Sequence, residues 1–444
     1  MPEKKCTIIG AGSAFAFHVT GDLIARPDFA GSTIGLVDID EGALAASTQT
    51  IRRMIDESGA ALQVEASTKR AEILPGSDFV LNSISVGEPW ARERDVTIGE
   101  RHGIYQPTSQ TVGPAGLMRG LRVLPHAVAI AEDIAGLCPE ATVLNLTNPL
   151  AAVCHAMQRY LGLEVIGLCE QWAYTMPFFA EVLDVPEAEL TCQSVGTNHL
   201  TWALGLYYQG EDVLSRFIER LYSPEGRAFR ERVPVSCEIF EAFGLWPTGT
   251  EAHIAEFFNY FLTPEADGGA AYGLEIRHTS EADWEARMAQ RRGWADGSLP
   301  IDELLTTSGE SAVPIMASLS GIEPPQVEVV NVPNQGLIDN LPWEAVVELP
   351  ARISPAGVQG LKVGYLPEPV AHIVRTRTVQ QELLADAGEY GDYQRALQAM
   401  LLDAQIVSLD VAQEILDASL EANAEWLPMF QEWIETETGT EEER

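Results

Sequence analysis

Short apolar runs recur along the first half of the chain, each stopped by a small or polar residue. Cys6–Ile9 runs into Gly10-Ala11-Gly12-Ser13-Ala14-Phe15, and "STIGLVDID" ends at Asp38. "SDFVLNSI" (77–84), "ATVLNLTNP" (141–149) and "LEVIGLC" (163–169) follow the same plan. Such runs are too short for helices and fit strands buried on both faces. Between them "PHAVAIAEDIAGL" has helical spacing. Strand and helix in alternation predict an α/β fold, a Rossmann-like doubly wound parallel sheet.

The pattern changes past residue 170. "AELTCQSVGTNHLTWALGLYY" alternates and predicts a strand that turns back at Gly196. "NVPNQGLIDNLPWEAVVELPARI" reads as a loop carrying Asn331, Asn334 and Gly336, then a strand at "AVVEL". "EPVAHIVRTRTVQQELLADAG", "YQRALQAMLLDA" and "DVAQEILDASLEANAEWL" read as helices, the last two amphipathic. The expected organisation is a nucleotide-binding domain over 1–170 and an α+β domain over 171–430 for substrate and oligomerisation. An acidic tail over 431–444, ending "ETETGTEEER", is expected to be disordered.

Composition narrows the partners. The 444 residues carry 65 acidic and 28 basic side chains, a net charge of −37. Such a surface repels nucleic acid and anionic membranes. No apolar run reaches the roughly 18 residues of a membrane span, and "MPEKKCTIIGAG" lacks the apolar core of a signal peptide. Six scattered cysteines with no CxxC pair suggest reduced thiols and a cytoplasmic protein.

Candidate chemistry gathers at strand ends. Gly10 and Gly12 allow a tight turn against a pyrophosphate, with Ser13, Ala14 and Phe15 opening the next helix. Phe15 stands where a third glycine is expected. Asp38, 28 residues after Gly10, suits the ribose hydroxyls of NAD and, with Asp40, opposes the phosphate of NADP. Asn82, Asn145, Thr147 and Asn148 lie on the edge where this fold binds ligands. They read as ligand contacts or as turn and capping residues, with Asn148 the stronger candidate for substrate. Cys169 ends another strand, and Asn198 and His199 sit at the predicted turn. A thiolate and an imidazole can hold a divalent metal, although two ligands at this spacing read first as a core cysteine and a hydrogen-bonded histidine.

Taken together, "GAGSAF", "LVDID", "HGIYQPTSQTVGPAGLMRGLR", "LNLTNP", "GLC", "VGTNHLTW", "PTGTEAHIAEF" and "NVPNQGLIDNLPWEAVVELP" resemble glycoside hydrolase family 4, the NAD-dependent glycosidases. The fold so implied is shared with lactate and malate dehydrogenases. The implied reaction is transient oxidation at sugar C3, loss of the C2 proton, elimination of the aglycone, water addition and re-reduction. Manganese bridging the C2 and C3 oxygens is also implied. By motif, Cys169 and His199 resemble the metal ligands, and Asn148 and Asn198 the residues on the sugar hydroxyls. Gly10, Gly12, Ser13, Ala14, Phe15, Asp38, Asn82, Asn145 and Asn148 resemble the cofactor site. Gln106 and Arg122 would line the sugar pocket, with Gly113 and Gly116 bringing that loop to the nicotinamide.

Two blocks depart from the pattern. Glu170, before Gln171 and Trp172, replaces the histidine usual after the cysteine. In "GTEAHIAEF", Glu251 is the candidate acid or base, ahead of Tyr260, with His253 and Glu256 sharing a helical face. Arg122, Arg277 and His278 are candidates for an anionic sugar. The substrates implied are α-glycosides, including α-sulfoquinovosides, with neutral α-galactosides or α-glucosides and α-glucuronides as alternatives. Relatives imply a homodimer or homotetramer. A plain NAD-dependent dehydrogenase and a cofactor-bound regulatory protein are the competing classes.

Overall fold

Six strands of the first half pair in parallel: β1 (Lys5–Ile9), β2 (Thr33–Val37), β3 (Gln63–Ser67), β4 (Phe79–Asn82), β5 (Thr142–Asn145) and β6 (Glu164–Gly167). Their order, β3-β2-β1-β4-β5-β6, is that of a dinucleotide-binding fold. Five follow the predicted apolar runs. The sixth, β3, is a half-exposed edge strand with no apolar run to announce it. The computed structural model describes residues 3–159 and 163–442, with side chains through 436.

The sheet does not stop at β6. It continues antiparallel through β11 (Gln326–Pro333) and β12 (Val346–Ser354), then β7 (Leu190–Thr197), β8 (Leu200–Tyr208) and β10 (Trp246–Thr248). Short β9 (Glu211–Asp212) and β13 (Gly357–Gly360) pair with β8 and β12. One row of partners therefore crosses both halves: Ile9, Asn82, Asn145, Gly167, Asn331, Glu348, Gly196, Thr201 and Thr248. Asn331, expected in a loop, lies inside β11. Asn334 does sit in a turn, its amide donating to the carbonyls of Ile338 and Pro342 at 3.0 and 2.9 Å.

One hydrophobic cluster joins Ile8, Leu36, Leu81 and Ile166 of the parallel strands to Trp202, Val330 and Leu349 of the antiparallel ones. A second lies among the helices Gly113–Leu137, Leu150–Gln158 and Glu368–Tyr390. The expected disordered tail begins as a helix, Gln431–Glu442. Its first turn is apolar enough to dock: Trp433 stacks on Tyr393 with ring centroids 4.8 Å apart, and Ile434 is buried. Residues 443 and 444 lie outside the described residues. Among the described residues, no helix is long and apolar enough to cross a membrane.

Candidate active site

The glycine turn after β1 is built for close approach. Gly10 has φ +87°, and a Cβ there would lie 2.7 Å from the Ser83 carbonyl oxygen. Only glycine lets this turn pack on the end of β4. Gly12 N donates to Asp38 Oδ2 at 2.7 Å, and Ser13 Oγ lies 2.9 Å from Ser83 Oγ. Ala14 opens the helix Phe15–Ile24 without a side-chain cap, so its first N–H groups are available to an anion. Half-buried Phe15 starts that helix. These residues fit a dinucleotide, with the Asp38 carboxylate at the end of β2.

The strand-end asparagines divide into two kinds. Asn82 Nδ2 donates to Asn145 Oδ1 at 2.9 Å, and both side chains are buried. Asn145 also donates to the Thr147 carbonyl at 3.0 Å. This pair stitches β4 to β5 and shapes the turn. Asn148 is half-buried, its Oδ1 accepting from Leu150 N at 3.3 Å, just past the end of β5.

The β7–β8 turn is Asn198-His199, and His199 has φ +67°. A left-handed non-glycine residue costs on the order of 1–3 kcal/mol and marks functional sites. His199 is buried, with Nδ1 2.7 Å from Thr111 Oγ1. Burial holds its pKa well below the ordinary value, aided by His253 and Arg119. The His253 ring lies 4.2 Å away between centroids, pushed down to about 4 by burial. Both imidazoles are therefore neutral and do not repel a cation.

Cys169 follows β6, half-buried. Burial first, then the Glu348 carboxylate, pushes its thiol up, while the Asn198 side chain hydrogen-bonds it. Glu348 Oε2 accepts from Asn198 Nδ2 at 3.0 Å and Asn331 Nδ2 at 2.8 Å. The acids that disfavour a thiolate favour a bound cation, which would reverse the thiol's preference. In the tautomer that gives the Nδ1–H of His199 to Thr111, Nε2 keeps its lone pair for a metal. Among the described residues, no group of three or more His, Cys, Asp or Glu converges as a metal site. Cys169 and His199, joined through Asn198, are a donor pair of the kind that can hold a cation with positions left for other oxygens.

Residues 5–185 match the model of the family 4 glycosyl hydrolases, and 194–406 match that family's C-terminal domain. The chain is also 32% identical to the alpha-galacturonidase of Bacillus subtilis (strain 168), over 92% of this chain and 95% of that one. It belongs to family 4 of the glycosyl hydrolases. The crystal structure of the putative glucosidase lplD from Bacillus subtilis superposes with TM-score 0.83 at 29% identity, covering 95% of this chain and all of that one. A 6-phospho-alpha-glucosidase from gut microorganisms, solved with NAD and Mn2+, shares the fold at 22% identity, with TM-score 0.80 over 96% of this chain and 99% of that one.

In this family 4 chain several expected site residues do other work. Arg122 is buried and paired with Asp95 at 2.6 Å, bracing the helix Gly113–Leu137 against Trp90–Arg101. Gln106 closes its own loop, donating to the Val112 carbonyl at 2.7 Å and accepting from Ala115 N at 2.9 Å. Gly113 and Gly116 lie in the first turn of the helix that follows, where a Cβ would strike Gln106 or the Thr111 backbone. They seat the loop on its helix. Glu251 accepts from Val235 N at 2.7 Å and from Ser236, so it caps the helix Pro234–Phe243. The N-terminal N–H groups of that helix attract a carboxylate. Arg277 is 85% exposed beside Glu275, and His278 bridges Glu93 and Glu100; the structure joins neither to the cluster. Tyr260 is exposed, and Trp172 packs on the core. Glu170 turns to Ser311, accepting from its Oγ at 2.7 Å.

Four neighbours escaped the sequence reading in these roles: Thr111, Arg119, His253 and Glu348. Arg119 is half-buried, 3.4 Å from Glu88, and its Nε has no hydrogen-bond partner among the described residues. Glu348 did leave a signal, as an acid inside the buried run "VVELP". Thr111 left none.

Proposed function

We propose that the protein is an NAD-dependent α-glycosidase working by oxidation, elimination, addition and re-reduction, on a sugar with an anionic group at C6. The observation that carries this reading is the meeting of Cys169, Asn198 and His199 beside the glycine-turn edge of one sheet. The alpha-galacturonidase relative and the fold shared with an enzyme holding NAD and Mn2+ support it. When bound, NAD supplies reversible hydride acceptance and a divalent cation polarises the sugar oxygens.

The chain's own residues would divide the rest. Gly12, Ala14 and the helix behind them hold the dinucleotide's phosphates, and Asp38 its ribose. Cys169 and His199 hold the cation. Asn198 lies between sulfur and carboxylate, so it fixes the thiol while offering its oxygen to a sugar hydroxyl; Asn148, at the end of β5, would hold another. Arg119, near enough to act on His199, provides positive charge for a C6 carboxylate or sulfonate. Uronides and sulfoquinovosides both meet that requirement. We also read the chain as a homodimer or homotetramer, since Trp343 and Tyr365 are exposed; light scattering tests it.

The test is aglycone release from aryl α-galacturonide, α-glucuronide, α-sulfoquinovoside, α-galactoside and α-glucoside. Each is run with NAD, with manganese and after chelation. Release that needs NAD without net NADH, and favours the anionic sugars, is expected. Faster release from the neutral sugars would remove the anionic assignment. NADH accumulation without aglycone would make the protein a plain dehydrogenase.

A further inference from the structure

The helix Glu281–Asp296 belongs to the second half of the chain, yet it lies on the first helices of the cofactor half. Trp294 packs edge-on against Phe17, ring centroids 5.7 Å apart. Arg53, in the helix Glu41–Ser58, donates to the carbonyls of Trp294 and Leu299 at 3.1 and 2.7 Å. So anchored, the helix directs Arg291 at the glycine turn. Arg291 is half-buried, and its Nη1 donates to the Gly12 carbonyl, the residue whose N–H binds Asp38.

Arg291 ends on a main-chain carbonyl at the glycine turn itself, whereas Arg122 is spent on the Asp95 carboxylate. One carbonyl uses a single donor of a planar fork that carries five. Arg287 lies one turn earlier, exposed and near enough for the two charges to oppose each other, while the Asp38 carboxylate on the other side favours the Arg291 charge. Two like charges held together beside the glycine turn gain from a bound anion.

We propose that Arg291 is a ligand of the cofactor's pyrophosphate, contributed by the second half of the chain, with Arg287 adding to its field. The assignment rests on the dinucleotide reading of the glycine turn. It makes the helix Glu281–Asp296 a lateral wall of the cofactor site as well as a support for the fold. Guanidinium and phosphate pair through charge-assisted hydrogen bonds, so loss of Arg291 should weaken dinucleotide binding by about tenfold.

The experiment is calorimetric titration of the full-length protein with NAD, ADP-ribose and adenosine. The variants are Arg291→Ala, Arg291→Lys and the exposed control Arg227→Ala, with thermal melts of each ligand-free protein. Expected are about tenfold weaker NAD and ADP-ribose for Arg291→Ala, unchanged adenosine, partial rescue by lysine and no change in the control. ADP-ribose binding equal to that of the unsubstituted chain would overturn the proposal. So would an equal loss for adenosine, which marks a general disturbance of the pocket. An unsubstituted chain that binds neither NAD nor ADP-ribose would overturn the dinucleotide reading itself, and the role of Arg291 with it.

Discussion

Thr111 decides which nitrogen of His199 is free. Its hydroxyl lies 2.7 Å from Nδ1, and where it accepts the Nδ1 proton it leaves Nε2 for a cation. Replacing such a partner typically costs about 10–100-fold in metal affinity. Thr111→Val should therefore weaken manganese binding by that order in a titration followed by electron paramagnetic resonance, with the melting temperature little changed. Unchanged manganese affinity would remove Thr111 from the site. Arg122 carries a different kind of weight. Arg122→Met strands the Asp95 carboxylate, buried and otherwise held by Asn423. The expected cost, from urea unfolding at pH 8, is about 3–5 kcal/mol. A loss of activity with full stability would return Arg122 to the sugar pocket. Glu256 gives a pH signature. Burial lifts it from 4.5 to about 7, opposed by hydrogen bonds from Thr108 and Ser109. The folded state holds its proton where the unfolded chain has released it. Its contribution to stability is thus whole below pH 4.5 and lost as the pH climbs to about 7. Glu256→Gln should lessen the fall of the urea midpoint over that window; parallel curves for the two proteins would contradict it.

At the scale of elements, the 106–112 loop is what brings Thr111 to the hairpin turn. Gln106 closes it on one side, and Glu256 binds Thr108 N and Ser109 N at 2.7 and 3.0 Å on the other. Gly113, at φ +70°, leaves space for the Gln106 amide. Gly113→Ala strains the backbone and displaces that amide, so it should cost about 1–3 kcal/mol and also lower manganese affinity. Loss of stability alone would mean that Thr111 finds His199 without the loop's help. Much of this scale was legible: five of the six parallel strands, the hairpin and the helices after residue 367 followed from periodicity, whereas Glu41–Ser58 and Glu281–Asp296 did not. What periodicity did not give was the partners of particular polar residues. Glu251 has the chemistry of an acid or base, but its two oxygens are spent on the N-terminus of the helix Pro234–Phe243. A linear pattern shows that a carboxylate is present and not which N–H groups will reach it first.

Across the whole molecule, the division expected near residue 170 falls inside one sheet. Asn331 of β11 pairs with Gly167 of β6, and one hydrophobic cluster spans both sides of the join. Parting the halves would break a ladder and open that cluster. Calorimetry should therefore show a single unfolding transition for the cofactor-free chain; two resolved transitions would show that the halves fold as separate units. The same join brings Glu348 beside Asn198, because β11 and β12 insert between β6 and β7.

By itself the sequence determined the parallel nucleotide-binding sheet, the glycine turn with Asp38, and the turn that carries Asn198 and His199. These depend on local periodicity and on what glycine and short polar residues do within a few positions. Only the tertiary structure decided that Thr111, Arg119, His253 and Glu348 surround that turn, and that Arg122, Gln106 and Glu251 are held elsewhere. The reason is range: Thr111 and His199 are 88 residues apart, Asn198 and Glu348 150. Contacts at such separations depend on how strands order themselves across a sheet, and no local pattern records that order.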